Sequence, residues 1–181
     1  MVFTLKSLFR KDEDGPAVRA VYGAIVQQAR SPAFYLAAGV PDTVVGRFSM
    51  VALHGFLALD RLGHEPKARV FSQNLFDLMF ADMDRNMREL GVGDLSVGKK
   101  VKGLAQYFYA MAAACREGLK GSDESLDAPL RQYIYQDIEP SAGKLTALAD
   151  YMRASEALLA EQDVNAIAGG NIVFAPPPGE K

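Results

Sequence analysis

The chain has 181 residues, 49% of them hydrophobic and 23% charged, which is enough apolar material for one packed domain and excludes global disorder. Its formal net charge is -2, so nothing global directs it to DNA or RNA. The single cysteine, Cys115, rules out an intramolecular disulfide and fits a reducing compartment.

Residues 1–15 read as an N-terminal tail or short amphipathic segment. Phe3, Leu5, Leu8 and Phe9 are interleaved with Lys6, Arg10 and Lys11, the pattern either of a short helix resting on an anionic membrane or of a frayed terminus. No apolar run there has the length of a secretory signal. The first helix is predicted from Pro16, a favoured first position, with Val18, Val21, Tyr22, Ile25, Val26 and Ala29 stepping by three and four. Ser31-Pro32 starts a short second helix through Leu36, stopped by Gly39. Asp42 or Thr43 caps a third, ending at Gly63 and apolar nearly all round. Arg47, His54, Asp60 and Arg61 interrupt it, so a buried central helix is the simpler reading than a membrane span of about 20 apolar residues.

Glu65-Pro66 opens a long helix through Leu90, whose predicted apolar arc is Phe71, Leu75, Leu78, Met79, Met83 and Leu90. A helix over Val97 to Leu119 carries Val101, Leu104, Phe108, Met111, Cys115 and Leu119 on one stripe, which makes Cys115 a small core residue. Helices over Leu126 to Ile138 and Gly143 to Glu161 follow, separated by Pro140. Residues 166–181 form a Gly/Pro-rich tail, predicted to give one extended piece at Ile172-Val173-Phe174 and then fray. The periodicity therefore predicts an all-α, single-domain bundle of about six to seven helices over residues 16–165, with a short irregular C-terminal tail.

Few residues carry chemistry. Gly93 to Lys100 nearly matches G-x-x-x-x-G-K-[ST], but Lys100 has no hydroxyl for Mg²⁺ and a helix, not a strand, precedes the loop. Lys99, Lys100 and Lys102 sit near a predicted helix N-terminus, where they form either a solvated basic turn or a patch for an anionic partner such as an RNA phosphate or lipid head group. Asp82 and Asn86 fall inside the apolar arc of the long helix, whereas Asp84 and Arg88 fall outside it, spaced as a surface pair. A carboxylate on a packed face needs a partner, so Asp82 is expected to be partly buried and bonded to Arg47, His54, Lys102 or a tyrosine. It is then a structural link or a binding-site residue. The chain has two histidines and neither a Glu-x-x-His pair nor a G-x-S-x-G elbow; no catalytic constellation, metal site or cofactor is expected.

The stretches Gly39-Val40-Pro41-Asp42-Thr43, Gly46-Arg47-Phe48 and Leu53-His54 resemble the front motif of the ubiquinol–cytochrome c chaperone family. The resemblance resumes at Phe80-Ala81-Asp82-Met83-Asp84, Arg88 to Asp94, Val97-Gly98-Lys99-Lys100-Val101-Lys102, Phe108-Tyr109 and Gly118-Leu119, so it spans about residues 20 to 135. Two positions depart from the family pattern: Ala81-Asp82 stands where two acidic residues precede the methionine, and Cys115 where a tyrosine is expected. The resemblance implies an all-helical, non-enzymatic chaperone for assembly of the cytochrome bc1 complex, acting on newly made cytochrome b or a related membrane client. It further implies a small partner protein and a ribosome or membrane-surface association; the short N-terminus without a transit-peptide pattern predicts a cytoplasmic chain peripheral to the inner membrane. Through it Arg47, His54 and Asp82 become a polar cluster and Gly46 a point of close helix approach. Asp84, Arg88, Lys99, Lys100, Lys102 and Tyr109 join them as candidate client or partner contacts. Such a client predicts an exposed apolar patch, made adaptable by Met79, Met83, Met87 and Met111, although most of these methionines are expected in the core. Two other classes fit the residues alone: a helical binder of quinone or haem, which needs an enclosed cavity, and an RNA-associated factor using the Lys99–Lys102 patch.

Overall fold

The computed structural model describes residues 15–89, 91 and 93–179. Among them are eight α-helices and no strand: α1 Pro16–Ala29, α2 Pro32–Leu36, α3 Val44–Gly63, α4 Arg69–Glu89, α5 Asp94–Lys120, α6 Asp127–Leu130, α7 Ala142–Glu161 and α8 Val164–Ala168. The all-α expectation stands.

α3 is the axis of the bundle. Every residue from Ala52 to Leu59 is buried, as a helix with apolar side chains all round requires, and α1, α4, α5 and α7 surround it. Thr43 caps it by accepting from the Gly46 amide at 3.0 Å. α1 starts at Pro16 and buries Val18, Val21, Ile25 and Ala29. Ser31 caps α2 through the Ala33 amide, and Gly39 ends the connection with φ +67°, a conformation open to glycine.

Three elements depart from their sequence reading. In α4 the buried face is Ser72, Leu75, Phe76, Met79, Phe80 and Met83. At about 100° per residue it is rotated by about 60° from the predicted arc. Phe76 and Phe80 are fully buried against each other and Phe108, whereas Phe71 and Leu78 are only partly covered; the aromatic rings outcompete the smaller arc. Leu90 and residues 1–14, with Phe3, Leu5, Leu8 and Phe9, lie outside the described residues. The helix predicted over Leu126 to Ile138 is instead a 3₁₀ turn (Asp123–Leu126), then α6, then a π-turn (Arg131–Tyr135) closed by Gln136 at φ 51°. Pro129, without an amide hydrogen, sits in the short α6. The wide turn buries Tyr135, whose hydroxyl lies 2.7 Å from the Ala38 carbonyl.

The extended piece expected at Ile172-Val173-Phe174 packs on the bundle, and the packing runs on to Ala175, where fraying was expected. α8 is a helix absent from the sequence reading; after it Ile172, Phe174 and Ala175 are buried. Gln28 donates to the Ala175 carbonyl at 2.9 Å, and the Val173 amide donates to Gln162 at 2.9 Å. No helix among the described residues is long and apolar enough to cross a membrane.

Candidate functional site

An open groove of about 500 Å³ is bounded by α1, α3 and α4 and closed below by α5. α1 contributes Tyr22, Val26 and Arg30, each four residues from the next, so all three share one face. The first turns of α3 give Val44, Val45, Arg47, Phe48 and Val51; the last turns of α4 give Asp82, Met83, Asn86, Met87 and Glu89; α5 adds Leu104. The floor is apolar, the rim is charged, and at its mouth Val44 and Val45 are 69% and 50% exposed. Two adjacent valines in the first turn of a helix that is buried from Ala52 to Leu59 are an unusual place to leave apolar surface in water.

Several polar groups of the rim are paired. Tyr22 donates its hydroxyl to Asp82 Oδ2 at 2.8 Å, Asn86 donates to the same oxygen at 3.1 Å, and Arg85 lies 3.6 Å from Oδ1. Burial, reinforced by the Asp82 charge, raises the Tyr22 hydroxyl far above the usual tyrosine range, so it stays a donor at any physiological pH. Asp82 is therefore partly buried and held by a tyrosine from a neighbouring helix, one of the partners expected for it. Arg47 Nε donates to Asp42 Oδ1 at 2.6 Å; this hydrogen bond lowers the Asp42 carboxyl and raises the Arg47 guanidinium.

The expected cluster of Arg47, His54 and Asp82 is only half formed. Arg47 and Asp82 reach the same groove, but His54 lies outside it, fully buried on another side of α3. Its Nδ1–H donates to the Met50 carbonyl at 2.7 Å, which leaves Nε2 to accept from the Tyr151 hydroxyl at 2.7 Å. Gln28 in turn donates to that hydroxyl at 3.1 Å. The rings of Phe34 and Phe174 pack edge-on against the imidazole. Burial pushes the His54 pKa down to about 4, so the ring is neutral and structural.

The other candidates are dispersed. Asp84 pairs with Arg88 at 2.6 Å, as its spacing predicted, on the opposite flank of the α4 buried stripe from Asp82. Its side chain is 17% exposed, less than the 30% of Asp82, which reverses the expected order because the stripe is rotated toward Phe76 and Phe80. Lys99, Lys100 and Lys102 are exposed, but α5 begins at Asp94, so they occupy its second and third turns and not its N-terminus. The helix-end argument for an anion there lapses, and with α4 before it the Gly93–Lys100 segment lacks a P-loop's strand. Tyr109 stacks on Phe76 at 5.7 Å and lines a smaller hollow of about 330 Å³ between α3 and α5, beside the Asp60–Arg116 ion pair at 2.6 Å. Met79, Met83 and Met111 are buried, as expected of core filler, while Met87 is half-buried in the groove. Cys115 is buried among apolar groups, which pushes its thiol up to about 12. Among the described residues no group of three or more His, Cys, Asp or Glu side chains is placed to hold a metal ion.

Sequence reasoning did not assign Tyr22, Val26, Arg30, Val44 or Val45 to the site, whereas Met87 was among the methionines expected to make a client surface adaptable. The i, i+4 spacing of Tyr22, Val26 and Arg30 was visible, but Tyr22 and Val26 were absorbed into the core face.

A family model described as ubiquinol-cytochrome C chaperone matches residues 36–174. The α3 and α4 walls of the groove fall within that match and the α1 wall precedes it. The chain is 22% identical over 178 residues to ubiquinol-cytochrome-c reductase complex assembly factor 1 of Xenopus laevis, covering 97% of this chain and 89% of that protein. To the Mus musculus protein of the same name it is 24% identical over 138 residues, covering 76% of this chain and 47% of that protein, so it spans about half the mouse relative's length. A crystal structure of the Cbp3 homolog from Brucella abortus superposes with a TM-score of 0.82 at 35% identity, over 91% of this chain and 92% of that one.

Proposed function

Because the chain belongs to the ubiquinol–cytochrome c chaperone family, we propose that it serves assembly of the ubiquinol–cytochrome c reductase (cytochrome bc1) complex without catalysing a reaction, and that it holds a newly made membrane subunit, cytochrome b or a related client, in the groove between α1, α3 and α4. The observation that carries this reading is the open apolar floor with Val44 and Val45 exposed at its mouth. A membrane segment waiting to be inserted presents apolar surface to water, which costs about 25 cal/mol per Å² until it is covered. An open groove covers such a segment along one side and releases it, which an enclosed cavity does not. The rim charges Arg30, Arg47 and Glu89 orient a client and add little net affinity. Met87, unbranched and polarizable, accommodates apolar side chains of different shape.

The test replaces the native gene in its own organism by a deletion, by Val45→Asp, or by Val45→Asp with Met87→Asp. Both positions leave part of the side chain in solvent, so the fold is retained, checked by unchanged circular dichroism and protein level. The deletion is expected to lower bc1 complex content and cytochrome b level, and the groove variants to follow it. A normal complex in the deletion strain refutes the chaperone assignment. A deficient deletion strain with fully active groove variants moves the client elsewhere on the surface.

A further inference from the structure

We infer that the hollow between α3 and α5 is a second binding site, which takes a small carboxylate whose acid group stands next to an aromatic or branched apolar group, as in an aryl acid or the last residue of a peptide. It lies away from the groove. Asp60 follows Val51 by nine residues, which at about 100° per residue turns it to the opposite side of α3. The groove takes its α3 residues from Val44 to Val51 and the hollow from Phe56 to Gly63, so a ligand in one leaves the other open.

Arg116 is the group that recognises the acid. Its Nε donates to Asp60 Oδ1 at 2.6 Å, and its guanidinium lies over the Phe56 ring, 5.6 Å from the centroid. Phe56 is buried and Asp60 half-buried, so the guanidinium plane is held before any ligand arrives. The contact with Asp60 uses Nε alone; among the described residues nothing accepts from Nη1 or Nη2. Parallel N–H groups on a fixed plane form the fork that a carboxylate or a phosphate accepts. Charge decides between the two. Asp60 already balances Arg116, and the C-terminus of α3 at Gly63 adds negative partial charge to the same wall. A phosphate dianion is repelled by both, whereas a carboxylate carries a single charge and needs only the one fork. His64, exposed at the edge of the hollow, brings an imidazole donor to it. The remaining wall is aromatic: Phe108 and Tyr109 meet edge to face, their ring centroids 5.9 Å apart, and the small side chain of Ala112 leaves the space beside them open. A volume of about 330 Å³ is at the lower end for ligand sites, which limits the occupant to one ring or one residue with its acid.

The test titrates the isotope-labelled full-length protein with N-acetyl-phenylalanine, followed by heteronuclear NMR. The amide signals of Gly63, Tyr109 and Ala112 are expected to shift and saturate, with a Kd on the order of 1 mM, while those of Val45 and Met87 in the groove stay in place. Arg116→Lys keeps a cation beside Asp60 but loses the fork, and is expected to weaken binding by about tenfold. Ala112→Leu fills part of the hollow and is expected to abolish binding, with circular dichroism unchanged in both variants. Phenylalaninamide, which has the ring without the acid, is expected not to bind. A pentapeptide ending in phenylalanine with a free C-terminus separates the two sources of the carboxylate. Tighter binding than N-acetyl-phenylalanine makes the ligand a chain end; equal or weaker binding makes it a small acid. The proposal is overturned by a titration without saturable shifts at the hollow, by unchanged affinity in Arg116→Lys or Ala112→Leu, or by phenylalaninamide binding as well as the acid. Failure of a client to bind in the groove alters none of these outcomes.

Discussion

Acid should destabilise this protein through one imidazole. His54 has a pKa of about 4 in the fold, lowered from 6.5 by burial; the side chains around it, Tyr151, Gln28, Phe34 and Phe174, are all uncharged. A depressed histidine pKa means that the unfolded chain binds the proton more tightly. Between pH 6.5 and 4 the unfolded state thus carries more protons, and stability falls as pH falls. Above the unfolded value the group contributes no pH dependence. The integrated loss is about 2 kcal/mol at pH 5 and about 3 kcal/mol at pH 4. For a domain of this size a loss of 2 kcal/mol lowers the melting temperature by about 4–8 °C. Guanidinium unfolding followed by circular dichroism at pH 7.5, 6, 5 and 4.5 measures the slope, and His54→Gln removes the titrating group. The variant is less stable at pH 7.5, because the Tyr151 hydroxyl and its neighbours lose their geometry, but its stability curve is flatter across the window. If the variant keeps the wild-type slope between pH 6.5 and 4.5, the acid sensitivity belongs to other groups and the assignment of a neutral, buried His54 is wrong.

Three further substitutions probe the scaffold around the groove. Gly46→Ala places a Cβ 2.0 Å from the Pro41 carbonyl oxygen, a backbone atom that cannot swing away, so it should cost about 2–3 kcal/mol in chemical denaturation; a loss under about 0.5 kcal/mol shows that the α3 entry is pliant. Asp82→Ala strips Tyr22 of its acceptor at the α1–α4 contact and should cost about 1–2 kcal/mol, whereas Asp82→Asn, which keeps an acceptor oxygen, should cost less; unchanged melting together with lost client binding makes Asp82 a contact residue and not a link. Phe174→Ala removes a ring packed 5.1 Å from His54 and should cost about 3 kcal/mol, toward the low end for buried phenylalanine since 8% of it is exposed; a neutral result in the same assay shows that the tail adds nothing to the stability of the bundle.

The elements that were legible in the sequence are those whose local signals agree with their packing. α1, α2, α3 and α7 were located to within a residue or two because Pro16, Ser31-Pro32, Thr43 and Gly63 punctuate runs with an unbroken apolar period. The misses arise where a partner distant in sequence decides the outcome. Nothing local in Ile172 to Ala175 announces a buried segment; it is held by Gln28, Ser155 and Gln162 from α1 and α7. The rotation of α4 comes from Phe108 of α5, which rewards Phe76 and Phe80 over Phe71 and Leu78. The same reason explains the site. Asp82 was identifiable as an oddity because a carboxylate on an apolar helix face contradicts its surroundings, and its partner proved to be a tyrosine on α1. Val44 and Val45 contradict nothing in a sequence where valine is ordinary. Only the placement of α1 and α4 shows that these two valines face outward over a groove while the next turns of α3 are buried. An exposed apolar residue is informative about binding only once its neighbours are known, so sites of this kind are read from packing and polar sites from sequence.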